Sequence, residues 1–192
     1  DNTSARYPHI AYGGDHLYYA SYTGSAWQLE TVDNAYGVGK YASLALDSNN
    51  RPHISYYDFS NDNLRHAWRT TAGEWRNENV DSSGNTGWYT SIAIDSDNRI
   101  HISYFDVSDG YLKYARYVNG DWTTRTLDSS GPGKAGMFTS LDLDVSERPG
   151  VFYTNGGIGA LTYIHSTCSN SFTWSTPSYV SYYFRDVGQA TS

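Results

Sequence analysis

The chain has 192 residues, which is enough for one ordinary domain or a short array of repeats with a sizeable core. Its formal net charge of -7 and the lack of a basic stripe argue against a nucleic-acid backbone as partner. No apolar run approaches the roughly 18 residues needed to span a bilayer. Cys168 is the only cysteine, so an intrachain disulfide is excluded.

Copies of one sequence unit follow each other along the chain. A partial copy at the N-terminus (RYPHIAYGGDHLYYASYTGSAWQLETVD) precedes full copies that begin at Tyr41 (YASLALDSNNRPHISYYD) and Tyr89 (YTSIAIDSDNRIHISYFD), and a fourth copy begins at Phe138. A period of this length indicates an array of one supersecondary unit. One tryptophan per copy marks the register, with steps of 48, 47 and 52 residues: Trp27, Trp75, Trp122 and Trp174.

Each full copy is predicted to contain four short strands, A to D. They are rich in β-branched and aromatic residues, alternate with period two, and are separated by Asn, Asp, Gly and Ser. Four-stranded antiparallel meanders at this period are typical of β-propeller blades, whereas a parallel β-helix needs shorter coils and a solenoid needs helices. In the second copy we predict strands at Ser43–Asp47, His53–Asp58, Leu64–Arg69 and Trp75–Val80.

The predicted fold is therefore an all-β propeller of four repeats of about 48 residues, each a four-stranded antiparallel blade. We expect one domain over residues 1–192, with repeats at approximately 1–40, 41–88, 89–137 and 138–192, either alone or within a larger array. The first blade lacks its own strand A, and 187–192 (VGQATS) resembles 38–43 (VGKYAS), which leads into strand A. The tail could close the ring within one chain, or a second copy or a longer array could complete it.

Residues that recur from blade to blade are expected to be structural. The tryptophans and the isoleucine or valine of strand B are predicted to pack between adjacent blades. An arginine and an aspartate in each A–B turn are predicted to form an ion pair, and the recurring histidines lie on separate blades, where they cannot converge on one metal ion. These sets are Ile10, Ile54, Ile102 and Val151; Arg6, Arg51, Arg99 and Arg148; Asp47, Asp95 and Asp144; and His9, His53 and His101.

The B–C and D–A loops lie together at one end of the blades, which we call the rim. They differ between copies and combine carboxylates with aromatic side chains, a pattern suited to sugar hydroxyls and to the C–H face of a pyranose. Aspartate followed by serine or glycine is also ordinary turn chemistry, so a structural role for each aspartate stays open. The predicted ligand-binding residues are Asp58, Phe59, Asp106, Tyr111, Tyr36, Trp88, Asp81 and Asp128.

The elements LALDSxNRPHISYYD, LRHA and GEW resemble the repeats of secreted bacterial sialidase-like (BNR-type) β-propellers and propeller lectins. The resemblance covers nearly all of the chain and implies an extracellular protein that binds or cleaves glycans. The sialidase Asp-box, Ser-x-Asp-x-Gly-x-Thr-Trp, is absent. The four glutamates do not assemble with a nucleophile and an acid, because Glu74 and Glu147 fall in turns opposite the rim.

The functional prediction is a secreted, non-catalytic, glycan-binding propeller that needs no cofactor. A structural or adhesive protein–protein module and a fragment of a glycan-cleaving enzyme are the alternatives. Closely spaced oxygens in the loops at Asp58–Asp62 and Asp106–Asp109 make bound calcium a further hypothesis, although the twelve-residue calcium loop is missing. The expected partners are a carbohydrate and, if the ring is shared, a second copy of the chain.

Overall fold

The computed structural model describes residues 7–130, 135–168 and 173–181, which form four antiparallel sheets. The first sheet has three strands and the other three have four strands each, in sequential meander order. The predicted all-β propeller with an incomplete first blade is confirmed. Residues 182–192, on which the predicted closing strand falls, and Arg6 lie outside the described residues.

The first blade contains β1 (His9–Gly13), β2 (Leu17–Tyr22) and β3 (Trp27–Asp33), which are its strands B, C and D. The second blade contains β4 (Val38–Leu46), β5 (Pro52–Asp58), β6 (Asn63–Arg69) and β7 (Trp75–Asp81). The third contains β8 (Thr86–Ile94), β9 (Ile100–Asp106), β10 (Tyr111–Val118) and β11 (Asp121–Asp128). The fourth contains β12 (Ala135–Leu143), β13 (Pro149–Asn155), β14 (Ala160–His165) and β15 (Ser178–Ser181).

Strand A begins earlier than the sequence pattern predicts. In the second blade it starts at Val38 rather than Ser43, because a β-bulge between Lys40 and Ser43 interrupts the period-two alternation. Tyr41 inside this bulge has a φ of 56°, a left-handed conformation that no alternation pattern reveals. The structure therefore extends strand A toward the rim by five residues.

The hydrophobic core lies between the blades. The first cluster joins Leu17 and Tyr19 of one sheet to Ile54, Tyr56 and Ala67 of the next, and two equivalent clusters follow. The predicted packing of strand B is confirmed for three of its four residues, which are fully buried: Ile54, Ile102 and Val151. Ile10 of the first blade is 46% exposed, since no described sheet packs on that side.

Three of the recurring tryptophans pack against these clusters, as predicted: Trp75, Trp122 and Trp174. Trp27 is 46% exposed on the outer strand of the first blade. The predicted ion pairs are also present in the A–B turns, where the Nε of Arg51 lies 2.7 Å from Asp47 and that of Arg148 lies 2.8 Å from Asp144.

Glycine allows the inner strands to approach the preceding blade. Gly87 and Gly136 have φ values of 105° and 113°. A Cβ at Gly87 would lie 2.8 Å from the Cα of Leu64, and one at Gly136 would lie 2.6 Å from the Cα of Leu112. Both the backbone conformation and the close approach therefore require glycine at these positions.

A buried aspartate at the end of strand D ties each blade to the next. Tyr56 donates its hydroxyl to Asp33 at 2.7 Å, and Tyr104 donates to Asp81 at 2.6 Å. The third tie joins the last two blades, with Tyr153 donating to Asp128 at 2.5 Å. Burial raises the pKa of these tyrosines, so their hydroxyls stay protonated and remain donors.

We expect Tyr56→Phe to lower the free energy of unfolding by about 1–3 kcal/mol, because Asp33 loses a buried hydrogen bond. Urea unfolding followed by tryptophan fluorescence measures the change. Tyr12→Phe is the matched control, since Tyr12 occupies the same strand position in the first blade and is 44% exposed. An equal decrease in the free energy of unfolding for both substitutions would show that the Tyr56–Asp33 hydrogen bond does not stabilise the blade interface.

The recurring histidines are packed and hydrogen-bonded, as predicted. His101 Nδ1 lies 2.5 Å from the Tyr114 hydroxyl, and His9 makes the equivalent contact with Tyr19. The second blade differs, because His66 stands where the others have tyrosine.

The His66 side chain is the centre of a largely buried network of polar contacts. Its Nε2 lies 3.0 Å from His53 Nδ1, and its Nδ1 lies 3.1 Å from Glu78, which also accepts the indole N–H of Trp122 at 2.8 Å. Burial, followed by the charge of the neighbouring His66, lowers the pKa of His53 to about 4. Burial also lowers the pKa of His66, although Glu78 opposes this shift.

The histidine pair predicts acid sensitivity. Both histidines bind protons more readily in the unfolded chain than in the folded one. Protonation therefore leaves the free energy of unfolding unchanged above about pH 6.5 and lowers it progressively as the pH falls from about 6.5 toward 4. Asp47 and Arg51 also face His53, and their mutual ion pair persists across this range. His66→Tyr restores the histidine–tyrosine pair found in the first and third blades, so we expect a smaller loss of melting temperature between pH 7 and pH 4.5. An unchanged acid sensitivity in this variant would contradict the assignment.

Candidate functional site

The predicted rim carboxylates are buried and already hydrogen-bonded. The exposed fractions of Asp58, Asp81, Asp106 and Asp128 are 1%, 6%, 3% and 4%. In Asp81 and Asp128, which end strand D, the two carboxylate oxygens accept hydrogen bonds from different parts of the protein. One oxygen of Asp81 accepts the Ser83 amide at 3.0 Å within its own loop, while the other binds the next blade. Asp128 repeats this arrangement with Ser130 at 2.7 Å.

At two blade interfaces, one basic side chain forms ion pairs with two aspartates, one from strand D of one blade and one from strand B of the next. Lys113 Nζ lies 2.6 Å from Asp81 and 3.5 Å from Asp106. Arg65 lies 3.0 Å from Asp33 and 3.6 Å from Asp58. Burial acts to raise the pKa of Asp81, but hydrogen bonds from Lys113, Tyr104 and Ser83 outweigh it and hold the pKa below its usual range.

These contacts assign the rim aspartates a structural role. Asp58 accepts the Ser60 and Asn61 amides at 3.0 and 3.1 Å, which closes the B–C turn. Asp106 does the same for Asp109 at 3.2 Å. A ligand-binding role for the four carboxylates stays a prediction, and the hydrogen bonds leave them little free capacity for sugar hydroxyls.

The loops considered for calcium use their oxygens in the same way. Asp62 accepts the Tyr57 hydroxyl at 2.5 Å, and burial and this bond raise the pKa of Tyr57 to about 12. Among residues 7–130, 135–168 and 173–181, no three His, Cys, Asp or Glu side chains are grouped to hold a metal ion.

The predicted aromatic residues of the rim are more accessible. Tyr36 is 73% exposed and Phe59 is 57% exposed. Their loops are joined, because the Phe59 amide donates to the Gly37 carbonyl at 2.8 Å. Lys40 Nζ lies 4.6 Å from the centroid of the Phe59 ring. Tyr111 lies one blade further along, where it pairs with Asp106 at the start of β10.

Trp88, one of the predicted ligand-binding residues, belongs to a row of aromatic rings whose other members were not predicted as a site. We call Tyr41, Trp88, Tyr89 and Phe138 the aromatic ladder. The ring centroids of Tyr41 and Tyr89 are 4.7 Å apart, and those of Tyr89 and Phe138 are 4.4 Å apart. Trp88 lies 5.4 Å from Tyr41, so the four rings form one surface near the rim end of the inner strands.

The ladder depends on a strained backbone that is repeated three times. Tyr41, Tyr89 and Phe138 have φ values of 56°, 54° and 54°. Aromatic residues rarely adopt this left-handed region, and each instance costs about 1–3 kcal/mol. Recurrence of an aromatic residue two positions after a glycine (Gly39, Gly87, Gly136) is the sequence signal that could have identified these positions.

Hydrogen bonds between blades hold the bulges. Thr90 donates its hydroxyl to the Tyr41 carbonyl at 2.8 Å, and Thr139 donates to the Tyr89 carbonyl at 2.7 Å. The Ser55 hydroxyl lies 2.7 Å from Thr90 Oγ1 and can donate to it. The carbonyls of Tyr41 and Tyr89 are thus each satisfied by the next blade, which fixes the spacing of the ladder.

We expect Thr90→Val to reduce stability by about 1–3 kcal/mol, because the Tyr41 carbonyl loses its donor while the side-chain shape is kept. The change should also alter the near-ultraviolet circular dichroism of the ladder, which reports on packing of aromatic rings. Thr124→Val, on the exposed face of β11, is the control. No change in either measurement would show that the bulge does not need this bond.

Comparisons with known proteins identify the fold. No family model and no curated protein matches the chain. The Aleuria aurantia lectin, solved with α-methyl-L-fucoside, is similar over 91% of this chain and 55% of its own, with 16% identity and a TM-score of 0.62. An ulvan lyase, described as a new family of polysaccharide lyase, is similar over 91% of this chain and 56% of its own, with 14% identity and a TM-score of 0.55.

A GH43 β-1,3-galactosidase is similar over 88% of this chain and 42% of its own, with 8% identity and a TM-score of 0.55. The chain therefore spans about half the length of these three solved structures. At these identities the likeness shows the β-propeller fold alone. The resemblance to sialidase-like (BNR-type) repeats stays a prediction.

Proposed function

We propose that this chain is a non-catalytic, extracellular, lectin-like module that binds glycans at the rim through the aromatic ladder. The observation that carries the proposal is the threefold left-handed backbone at Tyr41, Tyr89 and Phe138. Strained conformations persist where the surrounding structure enforces them, and they cluster at binding and catalytic sites. Here the strain presents contiguous ring faces, of which Phe138 is 63% exposed.

Ring faces suit the apolar C–H face of a pyranose, and the neighbouring polar groups can orient its hydroxyls. Lys40 and Tyr36, which is 73% exposed, are among the polar side chains at the rim. Three consecutive blades contribute to the ladder, so a linear glycan could contact several rings at once and gain affinity by avidity. The solved complex of the Aleuria aurantia lectin with a fucoside supports the general class of ligand.

The extracellular location is part of the proposal and depends on the resemblance to secreted propellers. In the part of the chain that the structure describes, no helix is long and apolar enough to cross a membrane. We also propose that a second copy of the chain completes the ring. The molecular mass in solution tests this, since a shared ring requires a dimer or a larger assembly. A protein–protein module remains the alternative in which the ladder contacts another polypeptide.

Glycan cleavage is a second candidate, because two of the similar structures are a polysaccharide lyase and a galactosidase. Among the described blades, the second alone has the His53–His66–Glu78 network, which runs from the middle of its strands toward the end opposite the rim. Release of reducing sugar or of an unsaturated product from glycans would favour this candidate over a binding module.

We expect the chain to bind immobilised glycans on an array and Phe138→Ala and Trp88→Ala to weaken binding about tenfold each, since each removes a ring face. Trp27→Ala, which removes an exposed tryptophan from the outer strand of the first blade, should leave binding unchanged. Melting temperatures verify that the variants are folded. The absence of binding to any glycan at high protein density would refute the proposal.

A further inference from the structure

A second surface with binding chemistry lies between the second and third blades at the end opposite the rim. It is a cavity of about 370 Å³ at the A–B and C–D turns, and both blades contribute to its walls. The residues that line it are Asp47, Arg51, His53, Trp68, Thr70 and Thr71 from the second blade, with Asn98, Ile100 and Tyr117 from the third.

An adjoining cavity of about 430 Å³ extends this surface along the third blade. The two cavities share Asn98 and Tyr117, so together they form one groove, which we call the turn groove. Pockets that hold small ligands measure about 300–1,000 Å³. Each half of the turn groove is thus large enough for one compact ligand unit.

Among the three pairs of neighbouring blades that the structure describes, the two aromatic walls of the turn groove occur together only between the second and the third. Trp68 is replaced by serine, arginine or histidine in the other blades, and the strand registers place these residues at equivalent positions: Ser21, Arg116 and His165. Tyr117, which pairs with Trp122, corresponds to Tyr22 in the first blade and to Arg69 in the second. A constellation that one blade has and the others lack is unlike the recurring structural residues.

The buried histidines hold the Trp68 wall in place. The rings of His66 and Trp68 are stacked, with centroids 5.2 Å apart and an interplanar angle of 9°. His66 is itself held by Glu78 and His53. On the opposite side, Tyr117 packs against Trp122 at 5.2 Å. Both walls are therefore fixed before a ligand arrives, which reduces the entropy cost of binding.

The charges of the turn groove are balanced. The Nη2 of Arg51 lies 2.6 Å from Asp47, and Arg99 lies 2.5 Å from Asp95 and 3.1 Å from Asp97. Asn98 closes the groove between the blades, because its side-chain oxygen accepts the Ser48 amide at 3.0 Å. Paired guanidinium groups favour an uncharged polar ligand over an anion, since an anion would have to displace the aspartates.

Two fixed aromatic walls with hydroxyl, amide and guanidinium groups between them match a neutral sugar. We propose that the turn groove is a second carbohydrate site, which takes one or two neutral pyranose residues at the end opposite the ladder. The assignment does not depend on the ladder, because it rests on different residues at the other end of the blades. A protein with both sites is bivalent and can cross-link a multivalent glycan.

The test uses the methyl glycosides of fucose, galactose, glucose, mannose and N-acetylglucosamine at millimolar concentration, with calorimetry and saturation-transfer NMR as readouts. We expect at least one of these sugars to bind, and Trp68→Ala and Tyr117→Ala to weaken its binding about tenfold. Trp68→Phe keeps a ring in the wall and should restore most of the affinity. Phe138→Ala should leave this site unaffected.

Melting temperatures show whether Trp68→Ala is folded. If it is not, Tyr117→Ala provides the binding test in its place. Binding that survives either substitution when it is combined with Phe138→Ala, or no binding of any of the five glycosides, overturns the proposal. Binding that is lost in the Trp68 and Tyr117 variants and retained in Phe138→Ala sustains it even if the ladder binds nothing. Precipitation of a multivalent glycoprotein should require both sites, so either group of variants should abolish it.

Discussion

A buried aspartate at the end of strand D joins each of the first three blades to the blade that follows. One oxygen of Asp81 closes its own loop and the other accepts the Tyr104 hydroxyl, and Asp33 and Asp128 make the same pair of contacts. A buried carboxylate without these donors would be costly. The packing of the blades therefore depends on the same aspartates that, from the sequence, resemble ligand-binding carboxylates at the rim.

The same arrangement explains why the accessible part of the rim is aromatic. With the carboxylates committed to the blade interfaces, contact area for a ligand comes from the rings that the strand-A bulges present. Thr90 and Thr139 donate hydrogen bonds to the carbonyls of Tyr41 and Tyr89 across the blade interfaces. The spacing of the ladder rings therefore follows from blade packing. Scaffold and candidate site are thus built from the same contacts.

The two candidate surfaces differ in whether their residues recur from blade to blade. The aromatic ladder is a repeated feature, with one ring or more from each of three blades. The turn groove is a departure from the repeat, since Trp68 and His66 stand where other blades carry different residues. Repetition suits avidity for an extended ligand, whereas a single asymmetric groove suits one compact ligand.

The amino-acid sequence by itself determined the all-β propeller, the order of its strands, the Arg51–Asp47 turn pair and the packing role of Trp75, because these depend on local alternation and on a period that repeats. It could not place the left-handed bulge at Tyr41, since a positive φ leaves no mark on hydrophobic alternation. It also could not decide between ligand and scaffold for Asp81, because Tyr104 and Lys113 lie 23 and 32 residues away along the chain. Only the tertiary structure brings those donors to the buried carboxylate, because the strands that carry them meet Asp81 across the interface between the second and third blades.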